Sequence, residues 1–266
     1  LQKDICLMYV DSHCHLNFPE LRRNLPEILT NMQENQVTHA LCVSVEMDKF
    51  HEINELTENH DNLFASVGVH PDYEDIIEPT VDELVTLASK DKVVAIGETG
   101  LDYFRLKGDL EWQRDRFRTH IRAANEANLP LIIHTREARE DTIQILKEEL
   151  RPGTRGVLHC FTETYEMAMQ AIELDFFISF SGIVTFKNAK DLKETASKIP
   201  LERMLIETDS PYLTPVPFRG KTNDPSKVIY VAEEISRLKD ISVENVANVT
   251  TTNFFDLFSK CKQSQC

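Results

Sequence analysis

The stretch Val93-Val94-Ala95-Ile96-Gly97-Glu98-Thr99-Gly100 sets an uninterrupted apolar run directly before a carboxylate. A strand with one face in water carries a polar residue at every second position, so a continuous run reads as a strand covered on both faces. Seven further short runs share this character: Met8–Val10, Ala40–Val45, Phe64–Val69, Leu131–His134, Gly156–His159, Phe177–Phe180 and Met204–Glu207. Between them, apolar residues recur at helical spacing amid charged ones, as in Phe117, Ile121, Ala124 and Ala127, or Ile143, Leu146 and Leu150. Strand alternating with helix implies right-handed crossovers and a parallel sheet. Eight such repeats in about 250 residues predict an α/β fold, a single-domain (β/α)₈ TIM barrel. The rival, an open doubly wound sheet, loses its dinucleotide-binding form, because no GxGxxG follows the first strand and the chain holds only 8 glycines.

Two more helical segments, Lys227–Lys239 and Val243–Phe258, follow the eighth run as extra C-terminal helices expected to close the bottom or side of the barrel. Residues 1–7, ahead of Met8, read as a leader or expression remnant, residues 8–260 as the barrel, and residues 261–266 as a tail.

With 41% hydrophobic and 27% charged residues among 266, the chain is too apolar for disorder. No apolar run approaches the roughly 20 residues that span a bilayer, so no membrane role is expected. The six cysteines form no CxxC pair and read as reduced thiols of a cytoplasmic protein. Lys+Arg 29 against Asp+Glu 44 leaves a charge of −15, which excludes binding nucleic acid mainly through a basic surface. Any contact with DNA must draw positive potential from elsewhere.

In a parallel barrel the working residues sit at the C-terminal ends of the strands. Five of the eight runs deliver metal-ligand types there: Asp11-Ser12-His13-Cys14-His15, Glu98, His134-Thr135-Arg136, His159-Cys160 and Glu207-Thr208-Asp209. His13 and His15, two apart on extended chain, project to one side and can grip one ion. Asp11, on the same face, is read as a partner that orients an imidazole. Glu98 ends a buried run, where a carboxylate is costly unless it pairs with Arg136 or binds cations; Gly97 and Gly100 let the backbone turn beside it. His134 and His159 complete four strand-end histidines, and His70, before Pro71, makes a fifth at the rim. His39, His51, His60 and His120 receive no role. Asp209 is the expected ligand of the eighth strand and a candidate proton acceptor, whereas Glu207 reads as an anchor for the loop Pro211-Tyr212-Leu213. Cys14 and Cys160 should point away from the ligands into packing. Arg136, Arg219 and Lys221 are candidate clamps for an anionic oxygen; Tyr103, Phe161 and Tyr212 either stack on bases or pack, and Asp102 with Tyr103 either contacts substrate or caps a helix.

The segments Asp11-Ser12-His13-Cys14-His15-Leu16, Gly68-Val69-His70-Pro71, Gly97-Glu98-Thr99-Gly100-Leu101-Asp102-Tyr103, His134-Thr135-Arg136, His159-Cys160-Phe161 and Glu207-Thr208-Asp209-Ser210-Pro211-Tyr212-Leu213 resemble, in order, the TatD family of metal-dependent deoxyribonucleases. The resemblance runs from about Met8 to Phe258. It implies a barrel of the amidohydrolase kind that hydrolyses DNA phosphodiesters, commonly as a 3′-to-5′ exonuclease and sometimes at abasic sites, in DNA repair. By the family pattern His13, His15 and Asp209 hold one divalent ion, His134 and His159 the other, with Glu98 shared, and His70 lies near the scissile phosphate; Arg136, first of the candidate clamps, is the expected substrate contact. Glu98 and Asp209 are then the catalytic carboxylates. The ion is Mg²⁺ by family habit, or Zn²⁺, Mn²⁺ or Co²⁺ by ligand softness. The expected partner is DNA, single-stranded or at 3′ ends, bound by a monomer. Two ions would add about +4 charge at the rim, enough to hold a phosphodiester on an acidic protein. The alternative is an amidohydrolase-type enzyme acting on a small ester or amide or on aminoacyl-tRNA, a reading that a strand-end Lys would favour over Glu98. A catalytically silent scaffold is a third reading, disfavoured because all six ligand types are present.

Overall fold

The computed structural model describes residues 7–261. Eight parallel strands follow one another in chain order: β1 (Tyr9–Cys14), β2 (Val37–Cys42), β3 (Leu63–Val67), β4 (Val93–Asp102), β5 (Leu131–Arg136), β6 (Gly156–Leu158), β7 (Phe176–Phe180) and β8 (Met204–Ile206). The ring closes between β8 and β1, where Cys14 bridges Ser210, the His15 amide donates to Ser210 O at 2.9 Å and the Asp209 amide to His13 O at 2.9 Å. This is the expected single-domain barrel. Of the segment read as a leader, residues 1–6 lie outside the described residues, as do 262–266 of the tail; Leu7 and Cys261, the described ends, both pack against apolar clusters.

Side chains alternate across each strand, and the two core clusters record it. Leu41, Phe64, Val94, Ile132, Val157, Phe177 and Leu205 share the interior of the barrel, while their neighbours Ala40, Leu131, Ile133, Leu158, Ile178 and Ile206 pack outward with the helices. Phe254, Leu257 and Phe258, at the end of the final helix (Val243–Leu257), join the interior cluster and plug its N-terminal mouth. The last helix thus closes the bottom, and each such buried side chain contributes about 2 kcal/mol. One inward step above the apolar layer the same strands turn polar: Val10 gives way to Ser12, Phe64 to Ser66, Ile132 to His134, Val157 to His159, Phe177 to Ser179 and Leu205 to Glu207.

Several strands run past their expected ends: β1 continues to Cys14, β4 to Asp102 and β5 to Arg136, while β2 starts and stops three residues early. Two of the bulges in the sheet lie beside the site. Between Ile96 and Thr99, β4 advances three residues against two of β5, and between Asp11 and Cys14, β1 gains one on β2. Each bulge re-aims the chain where it delivers a ligand type, Glu98 in one case and His13 in the other.

Candidate metal centre

Glu98 is held in the middle of the rim by the β4 bulge. Gly97 and Gly100 sit at φ +140° and +131°, and a Cβ on Gly100 would lie 2.0 Å from His134 O, so the backbones approach more closely than any other residue allows. Around Glu98 the imidazoles fall into two groups. On one side His13 Nε2 lies 3.4 Å from Glu98 Oε2, 3.3 Å from His15 Nε2 and 3.7 Å from Asp209 Oδ1, and His15 Nε2 lies 3.3 Å from the same Asp209 oxygen. On the other side Glu98 Oε1 is 2.7 Å from His159 Nε2, 3.3 Å from His134 Nδ1 and 3.3 Å from His70 Nε2.

The donor set fits divalent cations. Two ligands on a tetrahedral ion with bonds near 2.0 Å stand about 3.3 Å apart, which is the separation found within the first group. The outer nitrogens are mostly committed elsewhere, so the inner ones are free to face an ion. His15 Nδ1 donates to Val43 O at 3.1 Å, His134 Nε2 to Asp102 Oδ2 at 3.0 Å, and His159 Nδ1 lies 3.3 Å from Glu207 Oε1. His70 Nδ1 pairs with Asp72. His13 differs, because its Nδ1 is buried without a partner, as is Glu207 Oε2 below it.

The charges of the site are mutually enforced. Burial alone would raise the Glu98 carboxyl, yet His159, His70, His13 and His134 hold it well below the usual carboxylate range. Burial opposes the charged ring of His159, but Glu98 and Glu207 raise its pKa well above ordinary; for His15, too, burial is outweighed and Asp209 raises its pKa, while Asp209 is itself lowered. His13 is lowered by burial, with His159 stacked at 3.9 Å adding to the effect. The carboxylates stay ionised among imidazoles that compete for protons, and divalent cations would displace those protons.

A cavity of about 460 Å³ opens over this cluster, with His15, His70, Glu98, His134, His159, Arg136 and Asp209 in its wall. The eight site residues expected from sequence therefore meet at one place. A profile of the TatD related DNase family matches residues 10–259. The chain belongs to the TatD family of metal-dependent hydrolases. The uncharacterized metal-dependent hydrolase YcfH of Escherichia coli K12 is 44% identical over 95% of this chain and 96% of its own length. YabD of Bacillus subtilis, named in the same words, is 43% identical over 94% and 99%. Among solved structures, the TatD homolog YjjV of Escherichia coli superposes with a TM-score of 0.89 at 27% identity, covering 96% of this chain and 99% of that one. A TatD family hydrolase of Entamoeba histolytica gives 0.82 at 27% identity, over 96% and 99%.

Several neighbours of this TatD centre behave differently from expectation. Asp11 orients no imidazole; its carboxylate accepts the His13 and Thr208 amides and the Thr208 hydroxyl, tying β1 to the start of the Asp209 turn. Glu207 does not anchor the Pro211 loop: it accepts the Cys160 amide at 2.7 Å and supports His159, while Asn223 Nδ2 bonds Thr208 O and Tyr212 O. Cys14 packs as expected, but Cys160 lines the cavity, because a φ of +43° breaks the strand alternation. Phe161 is buried, Tyr103 donates its hydroxyl to Asp141, and Asp102 caps its own turn by accepting the Phe104 and Arg105 amides. Arg219 and Lys221 stack on Phe186 and Phe218 away from the cavity wall.

Sequence reasoning missed a buried polar row on the helix Glu111–Ala127. Gln113 bonds Pro71 O and the Asp102 amide, Arg116 donates to His70 O, and His120 Nε2 accepts the Val69 amide at 3.1 Å. Their spacing of three and four residues marks one face, and that face fixes the His70 and Asp102 backbones from behind. It also missed Arg105, which reaches Asp72 behind His70.

Proposed function

We propose that this TatD chain hydrolyses DNA phosphodiester bonds as a 3′-to-5′ exonuclease acting on single strands or 3′ ends. The observation that carries the reading is Glu98, whose two oxygens face two separate groups of imidazoles. His13, His15 and Asp209 with Oε2 would hold one divalent cation, and His134 and His159 with Oε1 the other, beside His70. Bound cations supply Lewis acidity toward a phosphoryl oxygen and make a nearby water a stronger nucleophile at neutral pH.

The chain's own groups do the rest. Asp209 is ionised and is 17% exposed at the cavity, so it can accept the proton of the attacking water. His70, kept in orientation by Asp72, faces the position of the phosphate from the β3 side. Arg136 lines the same cavity and brings a positive charge to the substrate. The acidic surface then matters little, because positive potential is local to the rim. Among the described residues no helix is long and apolar enough to cross a membrane.

The test is an assay with Mg²⁺, Mn²⁺ or EDTA on labelled single-stranded and 3′-recessed DNA, with esters, amides and lactones alongside. Metal-dependent shortening from the 3′ end, abolished by Glu98→Ala, is the expected result. Inert DNA together with a cleaved small substrate contradicts it.

A further inference from the structure

Two exposed aromatic side chains and a partly buried cation stand above the centre. Tyr212 is 56% exposed and Phe104 50%, although both are large aromatics. The Arg136 guanidinium lies 3.8 Å over the Phe104 ring, and among the described residues no carboxylate lies within ion-pair distance of it, although acidic residues outnumber basic ones. Their placement is ordered. Phe104 follows β4 and Arg136 ends β5, whereas Tyr212 follows β8 and stands edge-on to Phe18 after β1, at 6.3 Å between centroids. In an eight-strand ring the β4–β5 and β8–β1 seams are diametrically opposed, so the two aromatic groups flank the metal centre.

We propose that Tyr212 and the Phe104-supported Arg136 are two walls that each stack on one unpaired nucleobase, one on either side of the scissile phosphodiester. An aromatic ring and a flat guanidinium both accept the face of any base without sequence preference. The 460 Å³ cavity between them has the volume of a small-ligand pocket, a scale of single nucleotides and not of a paired helix. A paired terminus keeps its base faces inside its own stack and must open before it can use either wall. This inference rests on the nuclease reading above and adds the residues that select unpaired ends.

The experiment measures kcat and KM for wild type, Phe104→Ala, Tyr212→Ala, Tyr212→Phe and Ile77→Ala with Mn²⁺. Substrates are a single-stranded oligonucleotide, the same oligonucleotide with a tetrahydrofuran abasic residue on either side of the terminal phosphodiester, and methyl p-nitrophenyl phosphate. Each wall variant should lose about 5- to 100-fold in kcat/KM on the base-bearing oligonucleotide, mainly through KM, and Tyr212→Phe should restore most of it. Each wall should couple to one position, so that its variant costs less than about 2-fold more once that base is absent. Ile77→Ala, exposed elsewhere, should match wild type. Equal losses with and without the bases, or losses confined to kcat, overturn the walls while leaving the nuclease intact. Hydrolysis of neither the oligonucleotides nor the base-free diester overturns the nuclease reading itself.

Discussion

His134 Nε2 donates to Asp102 Oδ2 at 3.0 Å, and this bond turns Nδ1 of the same ring toward Glu98. Asp102 is fully ionised at neutral pH: burial opposes the charge, but His134 and the Phe104 and Arg105 amides lower its pKa to about 2. The carboxylate fixes which nitrogen is offered to a cation. Asp102→Asn removes the charge but keeps the shape, and should weaken divalent binding on the β5 side by roughly 10- to 100-fold. Calorimetric titration with Mn²⁺ checks this, and unchanged affinity would separate Asp102 from the centre.

Gly100→Ala places a Cβ 2.0 Å from His134 O on a backbone at φ +131°. Neither contact nor dihedral can relax without moving β5, so the substitution should cost about 2 kcal/mol or more. A fall in melting temperature together with lost metal binding is expected; Gly108→Ala, with nothing within 4 Å of its Cβ although φ is +104°, should lose stability alone.

His120 predicts a pH dependence of stability away from the metal ligands. Its Nδ1 donates to Arg116 O and its Nε2 accepts the Val69 amide, so the native ring is neutral. Burial, with Arg116 nearby, lowers its pKa from 6.5 to about 4. The unfolded chain therefore binds the proton first as pH falls. The contribution is complete above about pH 6.5 and is lost toward pH 4, up to about 3 kcal/mol. Urea melts between pH 7 and 4 should show a shallower slope for His120→Gln than for wild type; equal slopes would contradict the assignment.

Glu207→Gln should lower the pKa of His159 and weaken metal binding, because the neutral amide no longer supports its Nδ1 as a carboxylate does. Nuclear magnetic resonance titration of the ring checks the direction, and an unmoved or raised value would count against it.

The barrel was legible because strands covered on both faces show as apolar runs, and the ligands because five of those runs end in residues that cannot be buried without a partner. The same signal misplaced the strand ends: β1 and β5 continue through His13 and Arg136, where the inward layer has turned polar and the apolar run has stopped. Cys160 was read by alternation, yet it takes a left-handed backbone, as does Asp209, which only the folded chain reveals. Gln113, Arg116 and His120 were hidden differently. On a helix rich in charge, polar residues at helical spacing read as a solvated face, and only the partners Val69, His70, Pro71 and Asp102 show that the face is buried.

With Glu98 serving two cation positions, as proposed, the number of ions bound per chain after equilibrium dialysis is the most direct test. Wild type in Mn²⁺ or Zn²⁺ should retain two ions per chain, and Glu98→Ala at most one, with the fold intact by circular dichroism. Two ions retained in Glu98→Ala, or none in wild type, would contradict it.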